Sequence, residues 1–134
     1  MEKLIIAPTL NTPRVELDPQ KKQFQFSGES RPENVRNFYM PVLEWLENYS
    51  AEVVTEDAVS KKENREFHFD FEYFNSTSAK YILDLFKTLG HLNSNGIALE
   101  VYWHYEEDDE DMLEVGQEMS RMCKLPFEYI KTEV

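Results

Sequence analysis

The sequence predicts an α/β (α+β) fold, in which two to three helices pack mainly on one face of a single small mixed β-sheet. Segments in which apolar and polar residues alternate are separated by segments with helical spacing. The order strand, helix, strand over residues 66–104 predicts a βαβ unit with parallel strands. The chain has 134 residues, 41% hydrophobic and 30% charged, which suits one domain, 1–134, with a single core.

The first third of the chain predicts an antiparallel edge for this sheet. Three short segments are expected to be strands, at residues 3–7, 14–17 and 23–27. The last two are close enough to form a hairpin, and Pro19 suits the second position of a type I turn between them.

A first helix is expected before the central strand. Ser30-Arg31-Pro32-Glu33 has the pattern of a capping box and predicts a helix that runs to about Asn48. Pro41 lies inside it and predicts a kink or a break into two pieces, because proline lacks the N–H that a regular helix needs. Residues 51–54 are then expected to begin a strand, and residues 60–64 to form a polar turn or loop.

The central strand is predicted at residues 66–74. Its apolar side chains occupy alternate positions, so they are expected to share one face: Phe67, Phe69, Phe71 and Tyr73. A helix from about Thr77 to Leu89 follows, and Gly90 is a natural C-terminal stop.

The remaining segments extend the βαβ unit. Asn95-Gly96 turns the chain into a strand at residues 97–104. The acidic run Glu106–Asp111 is expected to open a third helix that ends near Cys123, because acidic side chains are favourable at a helix N-terminus. Residues 127–130 predict a short last strand.

Composition excludes several classes of function. The net charge of −12 argues against binding to nucleic-acid backbones and to anionic membrane surfaces, because no basic stripe exists to displace counterions. The single cysteine, Cys123, allows no intramolecular disulfide and is expected to be a core residue, which fits a cytoplasmic location. No glycine-rich phosphate loop or zinc motif is present, so neither a cofactor nor a metal is expected.

Two other groups of residues are weaker candidate sites, and they leave alternative functions open. His68 and His104 are expected on neighbouring parallel strands, near Asp70 and Glu100, where they can form a metal or acid–base pair; the commoner outcome is a histidine packed or solvated on the sheet face. The acidic run lacks the glycine that bends a Ca²⁺ loop, so a solvated helix start is preferred. A small histidine-based enzyme and an acidic DNA mimic or inhibitor therefore remain alternatives.

The clearest candidate site is the junction Asn75-Ser76-Thr77-Ser78 between the central strand and the second helix. Asn, Ser and Thr are preferred N-caps, so one of them is expected here in any protein. Four in succession are more than a cap needs, and hydroxyls at the positive end of a helix suit an anion or a covalent phosphate. The residues fit both interpretations.

Several motifs, in order along nearly the whole chain, resemble the SiaC-type bacterial regulatory phosphoproteins. Tyr73–Ser78 looks like their Y-[LF]-N-[TS]-[ST]-S signature. Other similar segments are Ile6–Pro13, Phe26–Asn34, Trp103–Tyr105 and Leu125–Phe127. The family is similar to the STAS-type anti-sigma-factor antagonists, so the resemblance implies a STAS-like fold.

The resemblance also implies a non-enzymatic switch. A Ser/Thr kinase of the histidine-kinase-like class would phosphorylate the protein, and a PP2C-type phosphatase would reverse this. The dephosphorylated form would bind an output protein, which is a diguanylate cyclase in the best-known members. Ser76, which directly follows the asparagine, is the first choice for the phosphoacceptor and Thr77 the second. Asn75, Ser76, Thr77 and Ser78 are expected to contact the partner.

Overall fold

A computed structural model describes all 134 residues and contains one six-stranded sheet with four helices. The strands are β1 (Leu4–Ile6), β2 (Arg14–Asp18), β3 (Gln23–Ser30), β4 (Arg65–Phe74), β5 (Leu99–Glu106) and β6 (Phe127–Thr132). The helices are α1 (Val35–Val53), α2 (Ala58–Lys61), α3 (Ser76–Ser94) and α4 (Glu110–Cys123). The predicted fold class is confirmed, with the single turn of α2 as an additional helix. No helix has both the length and the apolar character that crossing a bilayer requires.

The strands lie in the sheet in their order along the chain, β1-β2-β3-β4-β5-β6. The pairs β1–β2 and β2–β3 are antiparallel, as the predicted hairpin requires. The pairs β3–β4, β4–β5 and β5–β6 are parallel. Parallel crossovers are right-handed, and all three advance in the same direction, so α1, α3 and α4 cover the same face of the sheet.

The covered face is an aromatic core. Phe24 stacks on Phe67 with ring centroids 4.2 Å apart, and Phe26 stacks on Phe69 at 4.9 Å, as the parallel register of β3 and β4 requires. Phe86 of α3 packs onto Phe69 at 4.6 Å. The opposite face has no helix, and its mostly polar side chains alternate with the buried ones along β2–β5, whereas the outer strands β1 and β6 expose Ile5 and Ile130.

The first helix differs from the prediction at both ends. Asn34 caps α1, and its side chain accepts a hydrogen bond from the Asn37 amide. Ser30 is not the cap, because it is fully buried at the end of β3. The helix is unbroken through Pro41 and ends at Val53, so the predicted break and the predicted strand at 51–54 are wrong. A buried stripe over five turns outweighs the one backbone bond that proline removes.

Two later elements also need correction. Residues 60 and 61 belong to α2, which Asp57 caps, so the predicted loop there begins only at Lys62. α3 runs past Gly90 to Ser94, because burial continues beyond the glycine along the same stripe. A Cβ atom added at Gly90 would lie 3.4 Å from the carbonyl oxygen of Cys123, so α3 passes close to the C-terminal end of α4 at this point.

The side chain of Tyr73 does not lie on the same face of the sheet as Phe67, Phe69 and Phe71, contrary to what was expected from the alternation. Phe71 pairs with Gly28, whereas Tyr73 pairs with Glu29, so the register of β3 and β4 shifts at this point. Gly28 has φ +101°, a conformation that favours glycine. After this bulge the alternation is inverted: Tyr73 is 50% exposed, and Phe74 packs against Trp103.

Arg65, at the start of β4, is a fully buried arginine that the sequence reading missed. Its Nη2 donates to the Glu56 carboxylate at 2.7 Å, and its Nε donates to the Tyr49 hydroxyl at 2.8 Å. Its Nη1 donates to the carbonyl oxygens of Ser60 and Glu63. These bonds hold the connection between α1 and β4 in place, and they satisfy a charge that would otherwise be costly to bury.

Candidate functional site

The strand-to-helix junction is built around Asn75. It is the N-cap of α3, with extended backbone at φ −85° and ψ 174°. Its Oδ1 accepts hydrogen bonds from the Ser78 amide and from the Thr77 hydroxyl, both at 2.9 Å. Its own amide donates to the carbonyl oxygen of Ser30 at 3.1 Å. The helix predicted from about Thr77 begins one residue earlier, at Ser76, and Asn75 is the residue among the four candidates that caps it.

The three hydroxyls after Asn75 have three different environments. Ser76, the first residue of α3, is exposed, and its hydroxyl takes part in no hydrogen bond within the protein. Thr77 is also exposed, but its hydroxyl hydrogen is committed to Asn75. Ser78 is fully buried. The predicted partner surface is therefore corrected to exclude Ser78, which supports the junction from below.

The backbone at this end of α3 is ready to receive negative charge. The amides of Ser76 and Thr77 have no acceptor in the protein, as expected in the first turn of a helix. Free N–H groups and the positive end of the helix dipole both favour an anion here. The exposed side chain of Lys80 lies one turn further along the same helix.

Below the junction, Ser78 belongs to a buried group of hydroxyls. The oxygens of Ser30 and Ser78 are 2.9 Å apart, and those of Ser30 and Tyr39 are 2.5 Å apart. The Ser78 hydroxyl also donates to the carbonyl oxygen of Ser30 at 3.0 Å. Burial raises the pKa of Tyr39 to about 12, although its hydrogen bonds with the serines oppose this shift. All three side chains are therefore neutral at physiological pH.

The two strand histidines lie on the open face of the sheet, on neighbouring parallel strands as predicted. His68 Nδ1 is 2.9 Å from His104 Nε2, and His68 Nε2 is 3.1 Å from a Glu66 carboxylate oxygen. The bonding carboxylate is therefore Glu66 rather than Glu100, whose carboxylate accepts a bond from the Tyr102 hydroxyl instead. Three of the four ring nitrogens therefore have a partner: His68 Nδ1 and His104 Nε2 bond to each other, and His68 Nε2 bonds to Glu66.

The surroundings of this pair do not form the deep pocket that an enzyme built on it would require. His68 borders a depression of about 180 Å³, smaller than typical ligand sites of roughly 300–1,000 Å³. Burial lowers the pKa of His104, and the charge of Asp70 opposes this effect. No group of three or more His, Cys, Asp or Glu side chains is arranged to hold a metal ion.

Only the last three residues of the acidic run form the predicted solvated helix start, because Glu106 ends β5 and Glu107 and Asp108 precede the cap of α4. Asp109 caps α4 and accepts a hydrogen bond from the Met112 amide at 3.0 Å. Glu110 and Asp111 lie exposed in the first turn, where the helix dipole favours them. At the other end of α4, Cys123 is only partly buried rather than a full core residue, and burial raises the pKa of its thiol.

The comparisons with known proteins agree with this geometry. The family described as "SiaC family regulatory phosphoprotein" matches residues 6–132. The chain belongs to the SiaC family. The resemblance seen in its motifs is therefore confirmed over nearly the whole length.

Individual SiaC relatives cover almost all of the chain. An uncharacterized protein of Pseudomonas aeruginosa (strain UCBPP-PA14) is 27% identical over 127 residues, which are 95% of this chain and 94% of that protein. The crystal structure of apo-SiaC from P. aeruginosa superposes with a TM-score of 0.81 and 26% identity, covering 97% of this chain and 99% of that one. A crystal structure of the diguanylate cyclase SiaD in complex with its activator SiaC matches with a TM-score of 0.83 and 25% identity, covering 96% and 99%.

Proposed function

We propose that this protein is a non-enzymatic, cytoplasmic partner switch controlled by reversible phosphorylation of Ser76. Its dephosphorylated form binds and activates an output protein such as a diguanylate cyclase. A histidine-kinase-like Ser/Thr kinase adds the phosphate, and a PP2C-type phosphatase removes it. The observation that carries the proposal is the exposed, unbonded hydroxyl of Ser76 at the first position of α3. The similarity to a SiaC that activates the cyclase SiaD supports the choice of partner.

The environments of the three hydroxyls favour Ser76 as the acceptor. A kinase must remove the hydrogen of the hydroxyl that attacks ATP, so an uncommitted and accessible hydroxyl reacts most easily. Thr77 is the second choice, because its hydroxyl must first leave Asn75. Ser78 is excluded while the helix start stays folded, because its side chain is fully buried.

Phosphorylation of Ser76 would change the surface and leave the fold intact. The phosphate adds about −1.5 to −2 charges and three acceptor oxygens. The free amides of the first turn tolerate this charge, with a contribution of about 0.3–1 kcal/mol. A partner that covers the neutral hydroxyl would instead meet a hydrated dianion. A loss of ~3 kcal/mol in binding free energy weakens a complex about a hundredfold, which is sufficient for a switch.

The test compares variants at the two ends of α3. Ser76→Ala is expected to bind the output protein as tightly as the unmodified protein, and Ser76→Asp about tenfold more weakly, because one carboxylate imitates a phosphate only in part. Ser94→Asp adds the same charge at the opposite end of the helix and is the matched control. Binding is measured by isothermal titration after melting curves have shown that each variant is folded.

The site of modification is determined separately by intact-mass measurement and peptide mapping after incubation with kinase and ATP. Phosphate on Ser76, with loss of partner binding, is the expected result. The proposal fails if phosphate is found only outside residues 76–78, or if the phosphoprotein binds its partner as tightly as before. Glu110→Gln and Asp111→Asn should leave binding unchanged; an acidic DNA mimic would lose its function with these charges.

A further inference from the structure

Three buried hydroxyls lie directly beneath the junction: those of Tyr39, Ser30 and Ser78, each 0% exposed. We infer that this hydroxyl chain determines which of the three consecutive hydroxyls after Asn75 receives the phosphate. Tyr39 and Ser30 act as positioning residues that present Ser76 to the kinase. The inference rests on the proposed function, since it needs phosphorylation at this junction.

The hydrogen bonds of the hydroxyl chain have one direction. Ser78 donates to the Ser30 carbonyl at 3.0 Å, and the Ser30 hydroxyl donates to Ser78 Oγ at 2.9 Å. Each hydroxyl has a single hydrogen, so Ser30 has none left for Tyr39. The Tyr39 hydroxyl must therefore donate to Ser30 Oγ across their 2.5 Å contact. Every hydroxyl hydrogen is used, and no buried side-chain polar atom of the protein lacks a partner.

The hydroxyl chain fixes the start of α3 to two other elements. Tyr39 belongs to α1, and Ser30 is the last residue of β3. The carbonyl of Ser30 accepts bonds from both the Ser78 hydroxyl and the Asn75 amide. The cap and the third residue of the helix are thus attached to one residue of the sheet. The first turn of α3 can adopt only one rotation about its axis without breaking a buried bond.

That rotation separates the three hydroxyls. Successive residues of an α-helix are turned by about 100°. Since Ser78 points inward, Ser76 lies about 200° away on the helix and points outward, and Thr77 lies between them beside Asn75. If the first turn loosens, the three hydroxyls become more nearly equivalent to a kinase.

The test uses the full chain with Tyr39→Phe and Ser30→Ala. Tyr49→Phe is the matched control, because it removes the hydroxyl of another buried tyrosine of α1, one that accepts its bond from Arg65 rather than joining the junction. Each protein is incubated with the histidine-kinase-like kinase and ATP. The phosphate on residues 76, 77 and 78 is quantified by peptide mass spectrometry, together with kcat and KM.

The expected result is a loss of selectivity and of turnover. In Tyr39→Phe and Ser30→Ala, the share of phosphate on Thr77 and Ser78 should rise at least about fivefold, and kcat should fall about tenfold, since a misplaced acceptor reacts slowly. KM should stay unchanged, because the surface that the kinase contacts is intact. Tyr49→Phe should resemble the wild type in all three quantities. A purely structural role would lower stability without changing the distribution of phosphate.

Hydrogen exchange gives a second readout that needs no kinase. The amides of Ser78 and Ala79 should exchange about tenfold faster in Tyr39→Phe and at the wild-type rate in Tyr49→Phe. Absence of phosphate from residues 76–78 of the wild type would overturn both the proposed function and this inference. Phosphate on Ser76 with unchanged distribution, kcat and exchange in both junction variants would overturn the inference alone.

Discussion

Gly116 of α4 lies against the indole of Trp103. A methyl group added at Gly116 would come within 2.5 Å of Cδ1 and Nε1 of that ring. The ring has little freedom to move away: it is 1% exposed, and its Nε1 donates to the Met112 carbonyl at 2.9 Å. Phe71 and Phe127 pack around it as well. Gly116→Ala therefore forces either the helix or the indole to shift.

Two opposing effects decide the stability of Gly116→Ala. Alanine stabilises a helix interior by about 1 kcal/mol relative to glycine. Overpacking a well-filled core costs about 1–3 kcal/mol, and a buried indole N–H that loses its acceptor costs about 1–3 kcal/mol more. Non-bonded carbon atoms prefer separations of about 3.5–4.0 Å. A contact of 2.5 Å is much shorter, so the cost of overpacking should be close to its upper value of about 3 kcal/mol. The free energy of unfolding is therefore expected to fall by about 2 kcal/mol if the indole keeps its hydrogen bond, and by about 3–5 kcal/mol if it loses it.

Gly90→Ala is the matched control for this prediction. Its methyl group would be 3.4 Å from the carbonyl oxygen of Cys123, which needs only a small adjustment. Its stability should therefore equal that of the wild type or exceed it by up to about 1 kcal/mol. Urea unfolding followed by far-ultraviolet circular dichroism measures both variants. A Gly116→Ala protein at least as stable as the wild type would refute the packing argument.

Three other predictions concern the buried arginine, the histidine pair and the bulge. Arg65→Met should lower the free energy of unfolding by about 3 kcal/mol in urea titrations, because it leaves the Tyr49 hydroxyl oxygen and the Glu63 carbonyl without a donor and the Glu56 carboxylate without its partner. Burial lowers the pKa of His104 below its usual 6.5, so at acidic pH the unfolded chain binds more protons than the folded protein. The free energy of unfolding should therefore fall as the pH drops from 7.5 to 5.5, and it should fall less steeply in His104→Asn. Tyr73→Ala should cost less than about 1 kcal/mol and Phe74→Ala about 2 kcal/mol, in thermal unfolding; equal costs would contradict the inverted alternation.

The sequence predicts those parts of the fold that depend on local pattern. Alternation along β4 is regular as far as Phe71, and the cap residue Asn75 is followed at once by helical spacing. These signals depend only on residues close in sequence, so they are sufficient to predict the sheet, the parallel βαβ unit and the strand-to-helix junction. The inversion at Tyr73 depends on a register shift opposite Gly28, and the residues around Tyr73 contain no signal that predicts this shift. Pairing between distant segments decides such a detail.

The errors at the helix ends have the same origin. Ser30 and Asn34 both satisfy the local rule for a cap, and only the burial of Ser30 at the end of β3 distinguishes them. Gly90 has the composition of a helix stop, but the buried stripe of α3 continues past it. The charge of Arg65 suggests a surface residue until Glu56 and Tyr49 are seen beside it. Tertiary contacts override propensity in each case.

The strands lie in the sheet in the same order as in the sequence, and this affects how the protein can fold while it is being synthesised. Each strand pairs with the strand made just before it, so no segment must wait for a later one to find its neighbour. The antiparallel edge can form first, and each helix and strand that follows adds to the same growing side. The two tryptophans then report different stages: Trp45, on α1, packs against early Phe24, whereas Trp103 is covered only when α4 and β6 arrive. Their fluorescence in stalled chains of increasing length would give the order of assembly directly.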